Sequence, residues 1–363
     1  MSADRDNKGA EVSISACPPL TAALPSVGGR IKVEPEDFIV EELPAYQPCG
    51  EGQHFFLRVE KRDVDARGMT RQLSRCFGVK RRDIGTAGLK DRRAITRQWV
   101  SLPAHKIDQA PRPGAVGEGI EILEVSRHRN KLRTGHLEGN RFEVRIRNTE
   151  LTGEALREAV EQVGKDIRRR GLPNYFGQQR FGNEGSTLQA GMKWLNSGEK
   201  PQGRFLQRMG ASAVQSEVFN RVLSRRLTEG SWKSVVDGDI FEKTDTGGRF
   251  WIDASEREET QRRLDAGEIV VTGPMPGSKQ GLADKEAGRL ERDVIAGMGL
   301  RAGDFAVFGR RGRGTRRAMT VYVEQLNWEF GAQDMVRLTF VLEAGSYATV
   351  LLGEFMGREA ARS

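Results

Sequence analysis

The feature that most constrains the fold is where strand-like alternation occurs along the chain and where it stops. Apolar and polar residues alternate in Phe38–Leu43, His54–Glu60, Gln98–Leu102, Ile120–Val125 and Arg141–Ile146. A shorter alternation over Arg30–Val33 is broken by Pro35. The pattern then lapses and returns at Ala318–Val323 and Met335–Leu342. Helical spacing of Met69, Leu73 and Phe77 predicts a helix over 65–77 that stops at Gly78, and Leu156, Val160, Val163 and Ile167 predict another over 151–170. A Pro/Gly-rich loop spans 103–119, and the stretch 345–352 reads equally as a buried helix or a strand. The middle begins with a linker-like run, Asn196–Gly203. It continues with helical patterns over 211–227, 256–264 and 285–298, short strands near 234–241 and 249–252, and an irregular loop at 274–281. A chain that ends on strands like those it starts with builds one sheet from both ends. The expected architecture is therefore α+β, with a largely antiparallel sheet interrupted by an inserted α/β module. The expected boundaries are a flexible segment 1–28, a discontinuous domain of 29–199 and 322–363, and the insertion 200–321.

At 363 residues the chain is long enough for two domains and a sizeable core. Its net charge of +8 and its pI near 9.5 point to a polyanionic partner, nucleic acid first. Cys17, Cys49 and Cys76 form neither a CxxC pair nor a ligand pattern with the four histidines, which predicts a reducing compartment and no metal site. The N-terminus lacks the apolar core of a signal peptide, and no stretch has the length of a membrane span. The expectation is a cytoplasmic protein with no membrane association and no obligatory protein partner.

Three stretches carry candidate chemistry. In Thr86–Trp99 the single carboxylate, Asp91, stands among Lys90, Arg92, Arg93 and Arg97, shortly after Gly85 and Gly88. Neighbouring cations favour an ionised carboxylate, which can act as a nucleophile or an electrostatic stabiliser. The same pattern fits a turn residue paired with surface arginines. Basic residues cluster in 126–147, with Arg129, Lys131 and Arg133 between two strands, and again at Arg310, Arg311, Arg313, Arg316 and Arg317. Two such clusters favour phosphate contact, and glycines in the second allow close backbone approach. The run Gly171–Gly182 packs Tyr175, Phe176 and Phe181 with Asn174, Gln178, Gln179 and Arg180. Aromatic faces stack on bases and amides bond base edges. The alternative is a buried aromatic turn, but polar side chains there are expensive to bury without partners.

Taken together, five stretches in order resemble the TruD-type pseudouridine synthase family. They are Pro-Glu-Asp-Phe-Ile-Val-Glu-Glu (35–42), Gly-Leu-Lys-Asp-Arg-Arg-Ala-Ile-Thr-Arg-Gln (88–98), Lys-Leu-Arg-Thr-Gly-His-Leu-Glu-Gly-Asn-Arg-Phe (131–142), Asn-Tyr-Phe-Gly-Gln-Gln-Arg-Phe-Gly (174–182) and Ala-Gly-Ser-Tyr-Ala-Thr (344–349). The resemblance implies a pseudouridine synthase catalytic domain interrupted by a TRUD domain, acting on uridine-13 of tRNA. It implies Asp91 as the catalytic aspartate, Lys32 as its basic partner, Asn174 and Phe176 as substrate contacts, and Phe38 and Tyr347 as residues lining the uridine pocket. Arg129, Lys131, Arg133, Arg180, Arg310, Arg311 and Arg313 are the RNA-contact candidates. One departure stands out: Gly353 precedes Glu354 where family members often carry Arg, which weakens a basic contact from the C-terminal end.

The implied reaction breaks a C–N glycosidic bond, turns the uracil and joins its C5 to the ribose, consuming no external reagent. No cofactor or metal is expected. Asp91 can attack the anomeric carbon or the uracil ring, or assist a glycal route, and the sequence leaves all three open. Phe176 has no hydroxyl to accept the C5 proton; Tyr175 and Tyr347 are candidates. Composition and basic clusters by themselves fit a non-catalytic RNA-binding protein or RNA chaperone equally well.

Overall fold

The computed structural model describes residues 13–279, 281–332 and 334–362. Its elements in chain order begin with β1 (Phe38–Pro44), β2 (His54–Arg62), α1 (Ala66–Phe77), β3 (Gly85–Thr86), β4 (Ile95–Pro103), β5 (Gly114–Gly117), β6 (Ile120–His128), β7 (Leu137–Ile146) and α2 (Gly153–Arg170). There follow β8 (Leu172–Pro173), α3 (Ser186–Ser197), α4 (Arg204–Thr228), β9 (Ile240–Lys243), β10 (Arg249–Trp251), α5 (Arg257–Asp265), β11 (Ile269–Met275), α6 (Lys285–Gly297), β12 (Thr315–Ala318) and β13 (Thr320–Val321). The chain closes with β14 (Glu324–Phe330), β15 (Val336–Glu343) and α7 (Ala348–Met356). It divides into two compact units: Ala23–Gly171 with the C-terminal stretch from Tyr322, and Leu172–Val321 with the N-terminal stretch up to Ala22.

The first unit holds one large sheet in the order β14-β15-β7-β1-β4-β2-β6-β5, with β3 on β4. Every pairing is antiparallel except β1 with β4, where Ile39 faces Ile95 and Glu41 faces Arg97. Sheet strands therefore come from both sides of the interruption. α1 starts at Asp65, whose side chain caps Gly68 N, and stops at Gly78 in the left-handed region (φ 67°). It buries Met69 and Leu73 on Leu57, Val59, Val100, Leu102, Ile120 and Ile122. Each such side chain contributes roughly 1.5–3 kcal/mol by leaving water. α2 buries the face read from its spacing and crosses β14 at Gly164, where a Cβ would stand 2.3 Å from the Trp328 ring.

The second unit holds a sheet in the order β10-β9-β11-β12 and a small pairing of β13 with β8. Its long helix α4 packs on α3 where two glycines meet: a Cβ on Gly191 would lie 2.3 Å from Gly210 O. That contact puts α3 and α4 in one unit, so a division at residue 200 falls inside it.

Several expectations differ from the structure. The strand pattern at 318–323 belongs to β12 and β13 of the second unit, and the large sheet resumes only at β14. Alternation marks a half-buried strand but not the sheet that receives it. The loop 103–119 contains β5, whose glycines hide it from side-chain patterning. The stretch 345–352 opens helix α7. From Ser13 the N-terminal segment is tied to α4, with Ser15 N donating to Glu217 Oε1 at 2.9 Å and Arg221 to Ser13 O at 2.9 Å. Residues 1–12 of the expected flexible segment lie outside the described residues.

Candidate active site

The loop between β3 and β4 is bounded by the fully buried Ala87 and Ala94. Between them Leu89 is 84% exposed, Lys90 is buried and the Asp91 side chain is 54% exposed. The Lys90 ammonium lies 2.9 Å from Glu42 Oε2 and donates to Asn140 Oδ1 at 2.6 Å. Glu42 on β1 and Asn140 on β7 are cross-strand partners, so the sheet register presents both to one cation. The second Glu42 oxygen accepts from Trp99 N at 3.3 Å. Lys61 on β2 donates its Nζ to the Asp91 carbonyl at 2.5 Å, and Gly135 N donates to Ala87 O at 2.8 Å. The loop is thus held at its ends and from beneath, and its acidic group is left facing out.

The Asp91 carboxylate meets Lys32, with Nζ 3.2 Å from Oδ2. Lys32 has a positive φ of 57°, uncommon for a residue with a side chain. Arg147 fixes the segment around it, donating Nε to both Asp37 oxygens at 2.8 and 2.9 Å and Nη2 to Glu34 Oε2 at 3.1 Å. Asp37 in turn accepts from Glu34 N at 3.0 Å. The Lys32 ammonium also sits 4.3 Å from the centroid of the Phe38 ring. Phe38 is buried, edge-on to Phe142, and reaches the carboxylate through Lys32 rather than through an open face.

The cations adjacent to Asp91 in sequence turn elsewhere. Arg92 lies 3.8 Å from Asp63, Arg97 bonds Glu60 at 2.8 Å, and Lys90 points inward. The contact to Asp91 is made instead by a residue 59 positions away. Burial pushes the Lys61 amine down to about 8, opposed by the nearby Asp91, Asp65 and Asp63 carboxylates. An exposed carboxylate with one ammonium on it and a fixed backbone is suited to nucleophilic attack on an approaching electrophile.

In the second unit the turn 174–182 is built differently. Asn174 Nδ2 donates to Ala318 O at 3.0 Å, and Arg317 bonds both Asn174 oxygens, the carbonyl at 3.1 Å. Asn220 clamps Phe176, accepting from its N at 2.8 Å and donating to its O at 3.0 Å. The Phe176 ring is 7% exposed, with Phe219 edge-on and the guanidinium carbons of Arg317 and Arg180 at 4.2 and 5.3 Å from its centroid. Arg180 bonds Ser212 and Ser216. Gln178 and Gln179 are exposed. The buried amide of Asn174, the Phe176 backbone and the Arg180 guanidinium therefore have protein partners, and their burial alone does not call for a ligand.

Of the remaining candidates, Tyr347 is half-buried immediately before α7. A Cβ on Gly353 would come 3.4 Å from Arg358 Cδ, and Arg358 lies 3.6 Å from Glu354, so a cation does stand at this end of the chain. Arg129 pairs with Glu51 at 2.5 Å, Lys131 bonds Arg82 O at 2.8 Å, and Arg133 is exposed. The second cluster divides. Arg310 and Arg313 are exposed and Arg311 is half-buried, but Arg316 is buried on Glu291 at 2.6 Å and Arg317 turns onto Asn174. Those last two are structural cations.

Glu42, Lys61 and Asn140 were not singled out from the sequence, and Lys90 stood there only as a neighbour of Asp91, yet a signal was present. Glu42 continues the buried face of Phe38 and Val40, and Lys61 that of Leu57 and Val59. A charge on an apolar face at a spacing of two residues marks a buried polar centre.

Comparison with known proteins places this geometry. Residues 17–198 and 202–355 match the family described as tRNA pseudouridine synthase D. A tRNA pseudouridine synthase D from Anaeromyxobacter sp. (strain Fw109-5) is 42% identical over 346 residues, covering 93% of this chain and 95% of that protein. One from Thermus thermophilus is 42% identical over 343 residues, covering 94% and 93%. The crystal structure of a putative tRNA pseudouridine synthase D from Methanosarcina mazei superposes with a TM-score of 0.73 at 25% identity, covering 92% of this chain and 94% of that one. This chain belongs to the tRNA pseudouridine synthase D family.

Proposed function

We propose that this protein isomerises uridine to pseudouridine in tRNA, at position 13 as the sequence resemblance implies, with Asp91 as the nucleophile. The observation that carries the reading is the 3.2 Å pair of Lys32 and Asp91 on a loop anchored through Lys61 and Lys90. Lys32 orients the carboxylate. On the anomeric route Asp91 bonds to C1′ as the C1′–N1 bond breaks, the freed uracil turns, and C5 bonds to C1′ as the Asp91–C1′ bond breaks. C5 then loses its proton and N1 ends protonated, so the product is an isomer of the substrate. The three routes for Asp91 share this balance.

The target base leaves its stack before it reacts, which costs a few kcal/mol. Leu89, exposed two residues before Asp91, is an apolar side chain of the kind that fills a vacated stack. Asn174 and Phe176 keep the substrate-contacting roles that the resemblance implies. Stacking a base on Phe176 returns about 1–3 kcal/mol. It displaces a cation–π contact of about 0.5–2 kcal/mol with Arg317, so the net gain is modest.

The test is carbodiimide mapping of an unmodified tRNA transcript treated with wild-type protein and with Asp91→Asn. A new stop at position 13 with the wild type alone supports the reading. Equal stops with the variant contradict the nucleophile, and binding without any stop returns the chain to a non-catalytic RNA-binding protein.

A further inference from the structure

The run 196–203 and the cluster 310–311, which the isomerisation chemistry does not use, meet in the second unit. With the residues around them they line a cavity of about 480 Å³. Four cations face it: Lys200, Arg204, Arg310 and Arg311. None of the four has a carboxylate partner among the described residues, and no acidic residue lines the cavity. Elsewhere in this protein, exposed arginines commonly pair with acids, as Arg262 does with Glu259 at 2.6 Å. Unpaired cations gathered on a concave wall raise the local potential and favour an anion.

The other wall is aromatic. Trp194 lies edge-on to Phe308, with centroids 5.0 Å apart, and is 2% exposed. Its Nε1–H is buried with no acceptor among the described residues. A buried indole N–H without a partner is costly, and Trp194 is among the residues that line the cavity. The 25-residue helix α4 begins here, with no side-chain cap on its first turn and no acid in it. Gly309 lines the cavity at φ 49°, ψ −126°, a conformation that a residue with a Cβ resists. Beside Arg204, Phe205 is 71% exposed. An exposed aromatic next to a phosphate site is the pairing that single-stranded nucleotides use, backbone to the cations and base to the ring.

We infer that this cavity is an anchoring site for one nucleotide of the RNA, its phosphate held by Arg204, Arg310, Arg311 and the Trp194 N–H and its base stacked on Phe205. All its lining residues belong to the unit Leu172–Val321, so it is separate from the residue set that carries Asp91. The ligand class, RNA, rests on the proposed function, but the site is read through binding alone.

The experiment is equilibrium binding of an unmodified tRNA transcript to the full chain over a range of salt. Arg204→Ala/Arg310→Ala is expected to weaken affinity about tenfold and to reduce the slope of log K against log salt by about 0.7 to 0.9, the loss of one neutralised phosphate. Arg204→Lys/Arg310→Lys keeps the charge and most of the slope, which a merely structural role of the arginines would not. Arg262→Ala, an exposed and paired arginine of the same unit, leaves the slope unchanged. Trp194→Phe retains the ring, removes the N–H and weakens binding several-fold. Ultraviolet crosslinking of the wild-type complex is expected to mark the peptide containing Phe205. A wild-type slope in the double alanine variant, together with no crosslink at Phe205, overturns the site. Inorganic phosphate displacing the tRNA as well as a short oligonucleotide at equal ionic strength overturns the assignment to a nucleotide. Carbodiimide mapping on the same samples reports isomerisation separately, so loss of one reading leaves the other standing.

Discussion

The loop that carries Asp91 and the turn that carries Phe176 both hold polar groups in buried surroundings, and they use them in opposite ways. In the loop, Glu42, Asn140, Lys61 and Lys90 satisfy one another and the backbone, and every contact serves to leave Asp91 outside with one ammonium beside it. In the turn, Asn174, Asn220, Arg180 and Arg317 bond the segment to itself, and the aromatic at its centre is covered by guanidinium groups. The first arrangement exposes a carboxylate on an anchored loop. The second stores a stacking surface under side chains that must yield. Pre-organisation of this kind favours chemistry in the loop and selection of a substrate in the turn.

The comparison is sharpest where an anchor is removed. Glu42→Gln leaves the Lys90 ammonium buried without its counter-charge, and an orphaned partner of this kind costs about 3–5 kcal/mol. A shift of that size in the urea midpoint, with activity lost in parallel, is expected; a midpoint like the wild type's would mean that the loop is held by something else. Lys32→Met removes the direct contact to the carboxylate but none of the anchors. By analogy with loss of one charge-stabilising donor it is expected to lower single-turnover rate about a hundredfold, with an unchanged midpoint. A rate within a few-fold of wild type would remove Lys32 from the chemistry.

Lys61 supplies the pH dependence. Its amine, lowered to about 8, loses its charge as pH rises through that value, and the hydrogen bond to the Asp91 carbonyl weakens. The rate is expected to fall above pH about 8. Stability moves the other way: the unfolded chain keeps the proton up to about 10.5 and binds more protons between the two values, so the Lys61 contribution to stability rises with pH in that window. Lys61→Met should flatten both profiles, and an unchanged alkaline limb would assign it to another group. The smallest effect belongs to the turn. Phe176→Ala trades a base stack against the cation–π contact already present, and about a tenfold loss, confined to capture of the base, is expected in single turnover. A loss as large as that of Lys32→Met would make the turn part of the reacting machinery and end the contrast.

Much of the fold was legible because periodicity and caps are local. Asp65 and Gly78 bracket α1 where its apolar spacing begins and ends, and the α2 face is the one read from Leu156 to Ile167. The sheet to which a strand belongs was not legible, because the patterns at 318–323 and 335–342 look alike in sequence and only tertiary pairing separates them. At the site, Asp91 stood out as a carboxylate among cations. Its contact with Lys32 came from resemblance to a family, since no spacing rule links positions on different elements. The Glu42–Lys90–Asn140 centre depends on register between β1 and β7, which periodicity constrains only to a face. The burial of Phe176 under Arg317 depends on β12, with Arg317 lying 141 positions after Phe176 in the chain. Composition shows only that amides in such a turn are expensive to bury without partners, not which partners they find.

The central claim is that Asp91 is the reacting group and that everything beneath it serves to present it. Single-turnover pseudouridine formation with Asp91→Asn at saturating tRNA tests this most directly, because the substitution keeps size and hydrogen bonding while removing charge. The account predicts tRNA affinity within several-fold of wild type and a rate reduced by more than about a thousandfold. Pseudouridine formed at a rate near that of the wild-type protein would contradict it.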